Sequence, residues 1–125
     1  MNRPTLASGK VCYLEIPTVD VEQSASFYGK VLGWRIRRRG DGDLAFDDAV
    51  NEVSGTWVTG RPPSKEAGLL VHIMVDDIQR TMDSVIEYGG RIVQPVWADA
   101  PEITARFSDP AGNVLGIFQE PTLKK

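Results

Sequence analysis

Two side chains stand out as able to move a proton. His72 is the only histidine of the chain, and Glu15 lies in a run over 11–18 whose members are mostly apolar. Imidazole gains and loses its proton near neutral pH, which suits it to acid–base work. A glutamate between Leu14 and Ile16 needs a partner or water, because an unpaired carboxylate is costly to desolvate. Side by side, the carboxylate would favour the charged imidazole. The pair could act as general acid and base, for instance removing a proton beside a carbonyl group. Tyr13, two residues before Glu15, could donate a hydrogen bond to the resulting enolate. The plainer alternative is a histidine hydrogen-bonded inside a polar cavity, without catalytic duty.

Such a pairing requires elements that bring the two residues together, and the sequence holds a repeat that would do so. Asp20 is placed to cap a helix, with Gln23 three residues on as in a capping box. Val21, Ala25, Tyr28 and Leu32 then share a face, and Gly33 is the stop. Asp77 opens a second helix with Ile78, Met82, Val85 and Ile86 as its apolar face, ended by Gly89 and Gly90. Asp77, Ile78, Met82, Val85 and Gly90 follow Asp20, Val21, Ala25, Tyr28 and Gly33 by 57 positions, and His72 follows Glu15 by the same 57.

Strand-like runs precede each helix, over 11–18 and 69–76. Three more follow each, over 34–38, 44–46 and 53–59 in the first half and over 91–96, 103–107 and 114–119 in the second. Phe46, Asp48, Val53, Gly55 and Trp57 match Phe107, Asp109, Val114, Gly116 and Phe118 at an offset of 61, with the extra residues in the 97–101 loop. The expectation is one α+β domain of two tandem βαβββ modules, over 9–60 and 69–120, with a linker over 61–68 and a tail over 121–125. They would form an open, cup-shaped β-sheet with the helices outside.

Side chains alternate across a strand. Cys12, Leu14 and Ile16 make a uniformly apolar face, as do Val71, Ile73 and Val75, and both should lie under the helices. Tyr13, Glu15 and Pro17, with Leu70, His72 and Met74, would face a shared cavity. Gly55 and Gly116 would leave room there for a ligand. Trp57 and Phe118 are either core residues or flat pocket walls; in the second case they bind ligand together with Leu70 and Met74. Arg35, Arg37, Arg38 and Arg39 read as a solvated strand edge or, less simply, an anion-binding patch. The stretch from Gly40 to Ala45 fits a dinucleotide-binding pattern but opens no helix, so it is a hairpin turn.

The 125 residues carry a net charge of −3, with 25% charged and 42% hydrophobic side chains. Nothing in that balance favours nucleic acid or an anionic membrane as partner. One cysteine allows no internal disulfide, and no apolar run is long enough to span a bilayer, so a soluble cytoplasmic protein is expected.

The run from Tyr13 to Pro17, then Asp20, Phe27-Tyr28 and Leu32-Gly33-Trp34, resembles the opening of a vicinal oxygen chelate domain. That superfamily includes glyoxalase I, bleomycin-resistance proteins, fosfomycin-resistance enzymes and extradiol dioxygenases. Val75-Asp76-Asp77, Gly89-Gly90 and the run from Asp109 to Asn113 resemble its second-half signatures. The resemblance implies metal ligands at Tyr13, Leu70 and Gly116, with Gly55 or Trp57 in the fourth region. Leucine and glycine side chains cannot ligate a cation. No metal and no cofactor are therefore expected, although Glu15, His72 and Glu102 could in principle build a displaced site.

Two functions follow. One is a glyoxalase-like enzyme acting on a small organic molecule, with Glu15, His72 and Tyr13 as its catalytic residues. The other is a non-catalytic small-molecule binder like the bleomycin-resistance proteins. The resemblance also implies a homodimer.

Overall fold

Asp20 opens the first helix as its position predicts, accepting a 3.0 Å hydrogen bond from the Gln23 backbone N–H. Only half of the capping box forms, because the Asp20 N–H donates to Thr18 Oγ1 instead. In the computed structural model, which describes residues 3–66 and 68–121, this helix is α1 (Val21–Leu32). It follows β1 (Tyr13–Pro17) and precedes β2 (Arg35–Arg38), β3 (Leu44–Asp47) and β4 (Ser54–Val58). The same succession recurs as β5 (His72–Val75), α2 (Ile78–Glu87), β6 (Arg91–Gln94), β7 (Thr104–Ser108) and β8 (Val114–Gln119). Ala67 of the expected linker and residues 122–125 of the expected tail lie outside the described residues. No described helix is long and apolar enough to cross a membrane.

The fold is α+β, with two four-stranded open sheets and two helices. The chain divides into two units that meet between Pro62 and Pro63. In the first, the strand order is β1-β4-β3-β2, with β1 parallel to β4 and the other pairs antiparallel. The second repeats this as β5-β8-β7-β6.

The core of the first unit is aromatic. Tyr28 stacks on Trp34 at 4.8 Å, Trp34 on Phe46 at 4.4 Å, and Phe46 leans on Trp57 at 5.0 Å. Each such pair adds about 0.5–1.5 kcal/mol beyond its buried area. The second unit buries Val85, Ala105, Phe107 and Ile117 instead. Two expectations about packing fail. Ile86 is 60% exposed, because the buried stripe of α2 runs through Ile78, Thr81 and Val85 and leaves Ile86 about a quarter-turn away. Cys12 is exposed, standing just before β1 at the rim of the sheet.

A third correction concerns the last strands. Phe46 pairs with Gly55, whereas Phe107 pairs with Leu115. The true counterpart of Gly55 is therefore Leu115, and that of Trp57 is Ile117. The cause is the turn before each last strand. In the first unit it closes from the Asp48 N–H to the Val53 carbonyl, and in the second from the Asp109 N–H to the Asn113 carbonyl, one residue sooner. Asn51 at φ 59° and Gly112 at φ 99° take the left-handed positions of the two turns. A one-residue slip moves every side chain to the other face. Gly55 and Trp57 thus point toward α1, while Gly116 and Phe118 lie on the sheet face turned away from α2.

Candidate functional site

In the first unit, the sheet face opposite α1 carries Tyr13, Glu15, Asp47, Ser54 and Thr56. Glu15 is exposed and accepts an ion pair from Arg61 Nη2 at 2.7 Å. Its neighbour across the ladder, Thr56, donates its hydroxyl to the Leu44 carbonyl at 2.7 Å. A cleft of 540 Å³ opens at the end of this sheet, between the start of α1 and the β2–β3 turn, lined among others by Glu15, Val21, Arg38, Thr56, Trp57 and Val58. Trp57 is only 5% exposed and belongs mainly to the aromatic core, so it is not the free-standing pocket wall that its place near Gly55 suggests. Among the described residues, its indole N–H is buried without a hydrogen-bond partner.

The arginine run along β2 is locally neutralised rather than open to an anion. Arg37 donates from Nε and Nη2 to Asp47, at 3.0 and 3.2 Å. Arg38 faces Glu22 at 3.6 Å, and Arg39 faces Asp41 at 3.1 Å. Asp47 is buried, and the hydrogen bond from Arg37 holds its carboxyl below the usual range against the opposing effect of burial, with help from Ser54. A depressed folded-state pKa gives stability that is present above the unfolded carboxyl value of about 3.9 and lost as pH falls through the folded value. Asp47→Asn should therefore cost about 2 kcal/mol at neutral pH. Urea unfolding of both proteins across a pH series should show the gap closing in acid; a constant gap would contradict this account.

In the second unit, three strands bring a row of residues onto the open face. His72 and Arg106 are both ladder partners of Gly116, on either side of it. The His72 ring lies over that glycine, where a Cβ would sit 2.5 Å from Nδ1. The next row is Met74, Phe118 and Thr104. Met74 is 58% exposed and Phe118 half-buried. Leu70 is half-buried and precedes β5. From the β6–β7 loop, Asp99 accepts from Thr104 Oγ1 at 2.6 Å and Gln94 Nε2 at 3.0 Å. The Thr104 bond foremost, then the Gln94 bond, holds its carboxyl below the usual range, and the charges of Arg106 and His72 contribute.

Glu15 and His72 thus stand on different sheets, one in each unit. Glu15 is tied to Arg61, whereas the His72 side chain has no hydrogen bond or ion pair among the described residues. Four participants in these faces went unread in the sequence: Asp47, Arg61, Asp99 and Arg106. The alternation Thr104-Arg106-Ser108 against Ala105-Phe107 is the signal that would have placed Arg106. Asp99 and Arg61 lie outside the strands, where no period marks them.

The positions at which the resemblance implies metal ligands do not fit a divalent ion. Leu70 has no donor atom, the space above Gly116 is taken by the His72 ring, and that above Gly55 by Phe46. Tyr13 is left as an isolated phenol. Among the described residues, no three His, Cys, Asp or Glu side chains are grouped closely enough to hold a metal ion.

Residues 10–117 match the family model described as Glyoxalase/Bleomycin resistance protein/Dioxygenase superfamily. A glyoxylase-like domain-containing protein of Didymella fabae is 26% identical over 122 residues, which cover 90% of this chain and 95% of that one. CFP32 of Mycobacterium tuberculosis is 24% identical over 126 residues, covering 94% of this chain, and the chain spans about half of it, 48%. Among solved structures, TnmS3, an antibiotic binding protein from Streptomyces sp. CB03234, aligns with a TM-score of 0.68 at 24% identity, over 92% of this chain and 98% of that one. At that identity the shared property is the fold.

Proposed function

The chain belongs to the glyoxalase/bleomycin resistance protein/dioxygenase superfamily, and from that premise we propose that it binds a small organic molecule in the cleft beside Glu15. The observation that carries this reading is the cleft itself. Its 540 Å³ falls within the usual range for small-molecule sites, and apolar Val21, Trp57 and Val58 line it together with the carboxylates of Glu15, Glu22 and Asp43 and the guanidinium groups of Arg38 and Arg39. Binding is favoured over proton abstraction by Glu15, because the carboxylate is already engaged by Arg61. Ionic anchoring to Arg61 suits Glu15 to orienting a ligand rather than to taking its proton.

The second reading is a glyoxalase-like enzyme in which His72 exchanges the proton, with Tyr13 and Glu15 in support. Its favouring observation is that the His72 side chain is exposed and makes no hydrogen bond or ion pair among the described residues.

Calorimetry with a panel of aromatic amines, carbonyls, epoxides and lactones should find a ligand. Glu15→Gln should weaken that ligand about tenfold, the value of one charge-assisted contact. Failure of the whole panel to bind, or unchanged affinity in Glu15→Gln, would refute the cleft. Turnover of a panel compound that His72→Ala abolishes while affinity is kept would favour the enzyme.

A further inference from the structure

We infer that the open face of the second sheet is a binding site for a small organic carboxylate, with His72 and Arg106 gripping the anion and Met74 and Phe118 holding its apolar body. The inference does not depend on the cleft beside Glu15, which lies in the other unit.

The argument begins with Gly116. It stands between His72 and Arg106 in a single row across β5, β8 and β7, and all three lie on the face turned away from α2. Because the middle residue has no side chain, the imidazole lies over it, and this brings the ring to the side of the row on which Arg106 stands, so that one anion resting above the sheet can meet both groups. Arg106 is exposed and its side chain, like that of His72, makes no hydrogen bond or ion pair among the described residues. A guanidinium with its fork unused is the group best shaped for two-pronged contact with a carboxylate.

The charged groups on this face are Arg106, Arg91 one row away, Asp99 and, when protonated, His72. With His72 neutral, two cations face one anion, so the face keeps a positive balance. The Asp99 carboxylate is engaged by Thr104 and Gln94, to which it is hydrogen-bonded, rather than by Arg106. The Thr104 bond foremost, then the Gln94 bond, lowers its pKa, and the charges of Arg106 and His72 act in the same direction.

The neighbouring row explains the rest of the ligand. Met74 and Phe118 are ladder partners, and both leave apolar surface uncovered one row beyond the cations. Methionine adapts its shape and phenylalanine offers a flat ring, so an aromatic or branched body is the natural complement. A bare anion would use only one of the two rows.

The probes are 2-naphthoate and its uncharged counterpart 2-naphthamide, titrated into the full-length protein by calorimetry. His72 is the sole histidine, so its ring protons also give one unambiguous NMR titration. Naphthoate should bind about tenfold more tightly than naphthamide and raise the pH midpoint of His72. Arg106→Gln, an exposed change, should erase the difference between the two probes. Phe118→Leu should weaken both probes while leaving their ratio intact. Equal binding of the two probes, no binding of naphthoate up to about 1 mM, or an unchanged preference in Arg106→Gln would each overturn the inference. Arg80→Gln, the same kind of exposed change but on α2, serves as the control, since it should alter neither probe; loss of the naphthoate preference in that variant too would mean that general surface charge sets it and would also overturn the inference.

Discussion

Replacing Gly55 with alanine destabilises the protein by roughly 3 kcal/mol or more, at the upper end of overpacking costs. The added methyl group would meet the Leu14 carbonyl and the Phe46 ring, whose Cε2 lies only 2.7 Å from the new carbon. Neither obstacle can give way easily. The carbonyl belongs to the parallel β1–β4 ladder, and Phe46 is fully buried between Trp34 and Trp57. Gly116→Ala makes the internal comparison. Its obstacle is the imidazole of His72, an exposed side chain that can swing aside, so the cost should stay under about 1 kcal/mol. Urea unfolding of the two variants should separate them clearly. Equal losses would mean that the opposite facing of the two glycines is wrong.

Asp109→Ala should cost about 3 kcal/mol, because it strips a buried carboxylate from the turn that ends β7. Its Oδ1 accepts from the backbone N–H groups of Ala111 and Asn113 at 3.0 and 2.9 Å, and its Oδ2 from the Asn113 side chain at 2.9 Å. Asn113 in turn accepts from the Ser64 N–H at 2.8 Å, so the turn also fastens the segment that leads into the second unit. Losing the acceptor orphans several donors at once, which is dearer than losing one surface bond. The equivalent Asp48 is half-buried and accepts from Glu52 N–H at 2.7 Å. Asp48→Ala should cost only about 1 kcal/mol. Hydrogen exchange at Ala111, Asn113 and Ser64 should accelerate in the Asp109 variant. Protection at wild-type levels would remove the turn from its assigned role.

The sequence was most informative where periodicity and side-chain type agree. Asp20 and Asp77 cap their helices, and Gly33 ends α1 at φ 70°. Glu15 and His72 occupy equivalent places on β1 and β5, because the 57-residue offset spans stretches with no insertion between them. The offset of 61 failed one strand later for a physical reason. Gly55 and Gly116 are alike in type, and likeness of type suggested likeness of place. The register is decided instead by turn length, which glycine identity does not report. That single residue reassigned Trp57 to the core and left Phe118 on the open face. Arg61 and Asp99 were illegible for another reason. Both act from connecting segments, and only the folded chain brings Arg61 to Glu15 or Asp99 to Thr104.

With one more residue between Asp48 and Val53 than between Asp109 and Asn113, the two halves of the duplication are no longer equally free to change. In the first half, positions 55 and 57 are locked into an aromatic interior, and substitutions there act through folding. In the second, positions 116 and 118 look outward over the sheet, and variants there are judged by what they touch. A one-residue difference between two surface turns thus sets different demands on positions of like residue type, a fit to a closed interior in one unit and an outward-facing place on the sheet in the other.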